Sequence, residues 1–148
     1  MNPDSLFQFA NYAALGGWLL LLASPVAPRL AQLVGCLGVT LALAVLYVAL
    51  MLVFWSSGAG GFDSLDGVAA LFETRELLLA GWVHYLAFDL FIGAWQVRVA
   101  RRERLPFSLV LPCLALTFLA GPAGLLLFIA LRLALRPTAP LPFTNFQD

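Results

Sequence analysis

Residues 30–55 read LAQLVGCLGVTLALAVLYVALMLVFW, a run of 26 residues without one charged side chain. A helix needs about 20 mostly apolar residues to cross the roughly 30 Å hydrocarbon core of a bilayer, so this run predicts a membrane-spanning helix. The whole chain agrees, because 62% of its 148 residues are hydrophobic and only 11% are charged, against roughly 25% in an average soluble domain. The composition therefore predicts an integral membrane protein in contact with the bilayer. A formal net charge of zero gives no indication of a nucleic-acid-binding surface, so no nucleic-acid partner is expected.

Three further apolar runs, at about 6–23, 77–97 and 107–131, predict three more spans. Pro122 removes one hydrogen bond from the fourth span, which predicts a kink there. We expect an all-α fold, a single membrane domain over residues 1–148 that forms a bundle of four transmembrane helices. Its tail at 136–148 is predicted to be extended.

A short surface helix is predicted at about 64–75, before the third span. Asp63 can accept hydrogen bonds from the free amide groups at its start, and Asp66 places negative charge in its first turn. Leu65 and Phe72 fall on one apolar face of this helix. Such an amphipathic pattern indicates an interfacial helix.

The arginines of the loops predict the orientation of a four-span chain, because short cytoplasmic loops are enriched in basic residues. Five arginines fall on one side (Arg29, Arg98, Arg101, Arg102 and Arg104) and three on the other (Arg75, Arg132 and Arg136). This count predicts that both termini lie outside. A bacterial inner membrane is the expected location, or a plastid membrane if the chain is a trimmed plant protein.

His84 and Asp89 are the ionisable residues inside the third span. An ionisable group in a span costs roughly 2.5–3.5 kcal/mol on insertion scales, which makes both residues candidates for function. They are five positions apart, or about 140° around a helix, so each needs partners from other spans. The alternatives are a histidine and a carboxyl group satisfied inside the bundle. A lone histidine without a nearby thiol indicates no metal site.

Further polar and aromatic residues are candidates for contact with a substrate. Trp82 lies one short turn inside the third span and can line a cavity, and Tyr85 and Asn11 are polar residues of the third and first spans. Glu76 stands at the head of the third span, where a solvated interface cluster of Glu73 and Glu76 with Arg75 is the competing interpretation. We interpret Asn11, Trp82, Glu76 and Tyr85 as candidate substrate-binding residues.

Four stretches together resemble a known family. They are FAN at 9–11, GWVHYLAFDLF at 81–91, PCL at 112–114 and GPAG at 121–124. The chain resembles the abscisic-acid-deficient-4-like family, small four-span membrane proteins of plant plastids and bacteria. The resemblance covers nearly the whole chain, and the pattern in 81–91 is its most specific part.

In plants this family is tied to the synthesis of neoxanthin from violaxanthin, in which an epoxide opens while a neighbouring proton is lost. The resemblance thus implies an isomerase of a carotenoid or related polyisoprenoid that needs no cofactor. Acid/base chemistry of this kind suits His84, with Asp89 as its counterpart or orienter and Asn11 as a polar contact. The alternatives are a carotenoid- or lipid-binding accessory subunit and a small transporter. A transporter of four spans would have to act as a homo-oligomer.

Overall fold

In a computed structural model, residues 2–135 are described, and all regular structure among them is helical. In chain order the helices are α1 (Pro3–Leu22), α2 (Pro28–Leu30), a π-helical segment (Ala31–Gly38), α3 (Val39–Phe54), a 3₁₀ turn (Trp55–Ser57), α4 (Leu65–Glu73), α5 (Arg75–Arg102) and α6 (Phe107–Leu135). The elements from Pro28 to Ser57 follow one another without a break and form one rod, here the α2–α3 rod.

Four helical segments are long and apolar enough to cross a membrane: α1, the α2–α3 rod, α5 and α6. Their outer surfaces carry large apolar side chains, such as Val45 at 69% exposure and Leu52 at 80%. Water would not tolerate so many exposed apolar groups, whereas lipid does. The predictions of an all-helical, membrane-embedded protein are confirmed.

Helix α5 is the central helix of the bundle, and it packs against α1, α3 and α6. Small residues on its surface let the neighbouring helices approach, as at Gly93, where the indole of Trp18 occupies the space of a missing Cβ. Ala80, Ala87 and Ala94 are buried along the same helix. Close approach through small residues is the usual way in which helices associate in a membrane.

Helix α4 is the short helix that the sequence predicts before the third span. Its N-cap is Ser64, whose hydroxyl accepts a 3.0 Å hydrogen bond from the amide of Gly67, so the prediction of Asp63 as the cap is wrong. Leu71 of α4 is buried, whereas Leu65 of the predicted apolar face is 84% exposed. Its location at the membrane surface stays a prediction.

Helix α6 doubles back on itself. Residues 107 and 132 of a straight helix would lie about 37 Å apart along the axis. Instead, the Arg132 guanidinium lies 2.6 Å from the carboxylate of Glu103, just before α6 begins. Phe128 packs edge-on against Trp95 of α5 at 5.6 Å and shares a buried cluster with Val110 of the first turn of α6. The prediction of a kinked fourth span is therefore corrected to a helical hairpin.

The reversal occurs at Ala120, whose φ of −156° and ψ of 74° are not helical. Pro122 stands two residues later, at the start of the second half, where its missing N–H leaves no helical hydrogen bond unmade. Gly124 completes the turn, because a Cβ there would overlap the backbone of Thr117. Residues 107–119 and 121–135 are thus two half-helices joined at a tight tip.

The hairpin determines which groups share an end of the bundle. Asp4 of α1 pairs with Arg75 of α5 at 2.6 Å, so these two residues mark one end, here the Arg75 end. Glu103 marks the opposite end, the Glu103 end, to which Arg132 returns. Pro3 and Leu135 therefore lie at opposite ends of the bundle, whereas four full spans would have brought them together. The predicted tail at 136–148 lies outside the described residues.

Candidate functional site at the tip of the α6 hairpin

Asp89 stands at the middle of α5, thirteen residues before the helix ends at Arg102. Its side chain is only 7% exposed. The carboxylate lies directly against Gly121, because a Cβ at that position would overlap its oxygens. The tip of the hairpin and the buried carboxylate therefore meet at the centre of the bundle.

One oxygen of this carboxylate is uncommitted. Asp89 Oδ2 is buried and has no hydrogen-bond partner within residues 2–135. A buried carboxylate oxygen without a partner is costly, and natural proteins retain such groups mainly where they have a function. Asp89 therefore offers a free lone pair at the depth where α6 is broken.

Tyr85 lies one helical turn before Asp89, so the two side chains are neighbours on the surface of α5. The Tyr85 hydroxyl donates to the carbonyl oxygen of Leu119 at 3.1 Å and lies 3.5 Å from that of Phe118. The break at Ala120 deprives these carbonyls of their helical partners, and an unpaired carbonyl is costly in lipid. Tyr85 thus provides a hydrogen bond to the tip of the hairpin beside Asp89.

Asn11 and Trp82 extend this face of α5 toward the Arg75 end. The indole N–H of Trp82 donates to Asn11 Oδ1 at 3.1 Å, and the Asn11 amide donates to the carbonyl of Phe7 at 2.7 Å. Trp82 stacks on Tyr85 with ring centres 5.4 Å apart. Three of the predicted substrate-binding residues therefore lie in one line that leads to Asp89.

Aromatic rings accompany this line, and all of them except the buried Trp18 are partly exposed on the outside of the bundle. Phe7 packs on Trp82 at 5.8 Å, and Phe118 packs edge-on against Trp18 at 5.5 Å. Tyr85 connects the two pairs, because its ring packs on Trp82 and its hydroxyl contacts the backbone carbonyl of Phe118. We call Phe7, Trp82, Tyr85, Phe118 and Trp18 the aromatic row.

His84 lies on another face of α5 and does not join Asp89. Its exposed ring packs against Tyr47 at 5.4 Å and Phe88 at 4.6 Å. It lines a cavity of about 230 Å³ between α3, α4 and α5, and Asp89 does not line that cavity. The structure thus does not bring the two predicted catalytic residues to one site.

Glu76 is likewise remote from Asp89, near the start of α5. It lines a different cavity of about 330 Å³, together with Leu6 of α1 and Phe54 of α3. Of the predicted site residues, Asn11, Trp82, Tyr85 and Asp89 are brought together, while His84 and Glu76 each stand apart.

Two polar residues behind the tip were not singled out in the sequence. Gln96 and Thr117 are both fully buried, and the Gln96 amide donates to the Thr117 hydroxyl at 2.9 Å. Thr117 also donates to the carbonyl of Cys113 at 2.8 Å. Gln96, a polar residue in an apolar span, was the signal that could have indicated this contact between α5 and α6.

No metal-binding site is evident in the part of the chain that the structure describes. No group of three or more His, Cys, Asp or Glu side chains converges within residues 2–135. The chemistry available at the tip is that of one carboxylate, one phenol and the backbone carbonyls beside Ala120.

Comparison with protein families matches residues 5–128 to the family described as ABA DEFICIENT 4-like. No curated protein and no solved structure matches the chain. The family match includes α1, the α2–α3 rod, α4, α5 and the tip of α6, and it confirms the resemblance drawn from the sequence. The chain belongs to the ABA DEFICIENT 4-like family.

Proposed function

We propose that the protein is a cofactor-independent isomerase that rearranges a carotenoid or a related polyisoprenoid inside the membrane. The observation that carries the proposal is the uncommitted Oδ2 of Asp89, a buried carboxylate oxygen at the broken tip of α6, one helical turn from Tyr85. An isomerisation of this kind removes one proton from the substrate and delivers one, so that substrate and product have the same composition. The group that accepts the proton and the group that donates one must both reach the substrate in a water-poor site.

Asp89 is the proposed proton acceptor, because its free lone pair can take a proton from carbon. Tyr85 is the proposed donor or orienter, since its hydroxyl already makes hydrogen bonds at the tip. His84 is left out of this step because it lines the cavity on the other side of α5. A different role for His84 in the family's chemistry stays a prediction.

The aromatic row supports a polyene substrate. Aromatic faces offer a flat apolar surface on which a conjugated chain can lie, and the row passes over Tyr85 at its middle. Asn11 adds a polar group near one end of the row. A long substrate along this row would present its centre or one ring to Asp89.

Location and orientation are part of the proposal. Among the described residues, the Glu103 end carries Arg29, Arg98, Arg101, Arg102, Arg104 and Arg132, while Arg75 is the one arginine of the other end. Because basic residues mark the cytoplasmic side, we place the Glu103 end inside a bacterial inner membrane, with Pro3 outside. This replaces the predicted orientation with both termini outside.

The test is to express the protein in a host that makes epoxidised carotenoids, extract the pigments, and separate them by chromatography with absorbance and mass detection. Wild type is expected to yield an isomer of unchanged mass and altered absorbance, and Asp89→Asn to yield none. His84→Ala is the matched control from the other face of α5 and is expected to retain the isomer. Loss of the isomer with His84→Ala but not with Asp89→Asn would assign the active site to the cavity that His84 lines.

A carotenoid- or lipid-binding accessory role is the second candidate. It is favoured by a groove of about 340 Å³ between α1 and the first half-helix of α6, lined by Leu15, Trp18, Leu19, Leu22, Leu111, Leu114, Ala115 and Phe118. None of these side chains can exchange a proton with a substrate. Unchanged pigment that copurifies with wild type and both variants would favour this function over the isomerase.

A further inference from the structure

A cavity of about 450 Å³ opens at the Glu103 end of the bundle, far from the tip of α6. It is lined by Gln32 of the π-helical segment and by Arg98, Arg101 and Arg102 from the last turns of α5. The helices cross the membrane boundary at this end, so the cavity lies where lipid headgroups are found.

The three arginines of this cavity share one face of α5. Arg98 is followed by Arg101 and Arg102, and residues three and four positions apart are neighbours on a helix surface. Like charges at this spacing repel one another. No carboxylate within residues 2–135 forms an ion pair with any of the three.

Glu103 is the one acidic residue of the described chain at this end, and it is already engaged. Its two carboxylate oxygens accept hydrogen bonds from Arg132 at 2.6–2.8 Å. The other described carboxylates outside the spans belong to the Arg75 end, a helix length away. Within residues 2–135 no carboxylate balances the positive charge of the cavity, which therefore favours an anionic ligand.

Gln32 supplies a second, independent observation. Its amide nitrogen Nε2 is buried and has no hydrogen-bond partner in the described part of the chain. A buried amide donor without an acceptor is unfavourable by about 1–3 kcal/mol. The cavity thus combines three guanidinium groups with the polar side chain of Gln32, and a ligand with several negatively charged acceptor oxygens matches the guanidinium groups.

We propose that this cavity binds the phosphate of an anionic phospholipid. Phosphate presents several acceptor oxygens to the planar fork of arginine, and basic pockets between transmembrane helices on the cytoplasmic side suit anionic headgroups. The lipid would fix the end of α5 against the start of the α2–α3 rod. This inference is independent of the isomerase activity.

The test uses the full chain reconstituted in nanodiscs of phosphatidylcholine, with or without phosphatidylglycerol, followed by native mass spectrometry after release into neutral detergent. Wild type is expected to retain one phosphatidylglycerol molecule. Arg101→Gln is expected to weaken this retention about fivefold, as for the loss of one cationic group at the headgroup layer. Gln32→Leu is expected to weaken it without any change of charge.

Arg104→Gln is the matched control, because Arg104 lies at the same end but does not line the cavity. Equal retention by Arg101→Gln, Gln32→Leu and Arg104→Gln would overturn the proposal, since it would indicate unspecific attraction. Inorganic phosphate is added in a parallel arm. If phosphate binds and phosphatidylglycerol is not preferred over phosphatidylcholine, the ligand is a free anion and the lipid assignment is wrong. Helix content by circular dichroism verifies that each variant folds.

Discussion

Arg132 and Glu103 are 29 residues apart in sequence, yet their side chains form a forked ion pair with three N–O contacts of 2.6–2.8 Å. Arg132 is 2% exposed, which places the guanidinium inside the bundle rather than on its surface. The pair fastens the second half-helix of α6 to the loop that precedes the first. It is thus one of the contacts that hold α6 as a hairpin.

Breaking this ion pair should therefore lower the stability of the fold substantially. Glu103→Gln removes the negative charge that Glu103 provides to the buried Arg132 guanidinium, and we expect a loss of about 3–5 kcal/mol in the free energy of unfolding. Asp4→Asn is the matched control, because it breaks the exposed pair with Arg75, and exposed pairs contribute about 0–1 kcal/mol. Thermal unfolding in detergent measures both. Equal effects of the two variants would contradict the buried role of Arg132.

The hairpin also predicts which residues share a side of the membrane. Ser108→Cys and Ala134→Cys, introduced singly into a chain with Cys36→Ser and Cys113→Ser, should react with a membrane-impermeant maleimide from the same side. Ser5→Cys should react from the opposite side, and in intact cells from outside. Labelling of positions 108 and 134 from different sides would show that α6 crosses the membrane completely.

Much of the fold could be predicted from the sequence because apolar runs and prolines report directly on helices in lipid. The runs at 30–55 and 77–97 fall within the α2–α3 rod and α5. The reversal of α6 could not be predicted from Pro122 alone, since a proline inside an apolar run is compatible with a kink or a break. Gly121 and Gly124 distinguish the two outcomes, but only through contacts with Asp89 and Thr117 that the sequence does not display.

The candidate site, too, could be predicted only in part from the sequence. Periodicity of 3.6 residues places Trp82, Tyr85 and Asp89 on one face of α5, and His84 on another, so their separation was within reach of the sequence. The sequence could not predict that the tip of the α6 hairpin packs against that face of α5. The contacts of Tyr85 with Leu119 depend on the tip of the hairpin, which exists only because α6 turns back.

Gly121 tests the contact between the tip and α5. Gly121→Ala places a methyl group where the Asp89 carboxylate lies, and overpacking of this kind costs about 1–3 kcal/mol. Gly16→Ala is the control, because a Cβ at Gly16 meets nothing within 4 Å and alanine is favoured over glycine within a helix. We expect a lower unfolding temperature for the first variant and an unchanged or higher one for the second. The reverse order would mean that Asp89 does not touch the tip.

Tyr85→Phe tests whether the phenol belongs to the site or only to the fold. Removal of the hydroxyl leaves the Leu119 carbonyl without its donor, at a cost of about 1–3 kcal/mol, whereas Tyr12→Phe removes the hydroxyl of a tyrosine that is 70% exposed on α1 and should change little. If Tyr85 delivers or orients the proton, product formation should fall by about 100-fold or more, far beyond the loss of folded protein measured in the same samples. A fall in product no larger than the loss of folded protein would restrict Tyr85 to a structural role, and Asp89 would then need another proton donor at the tip.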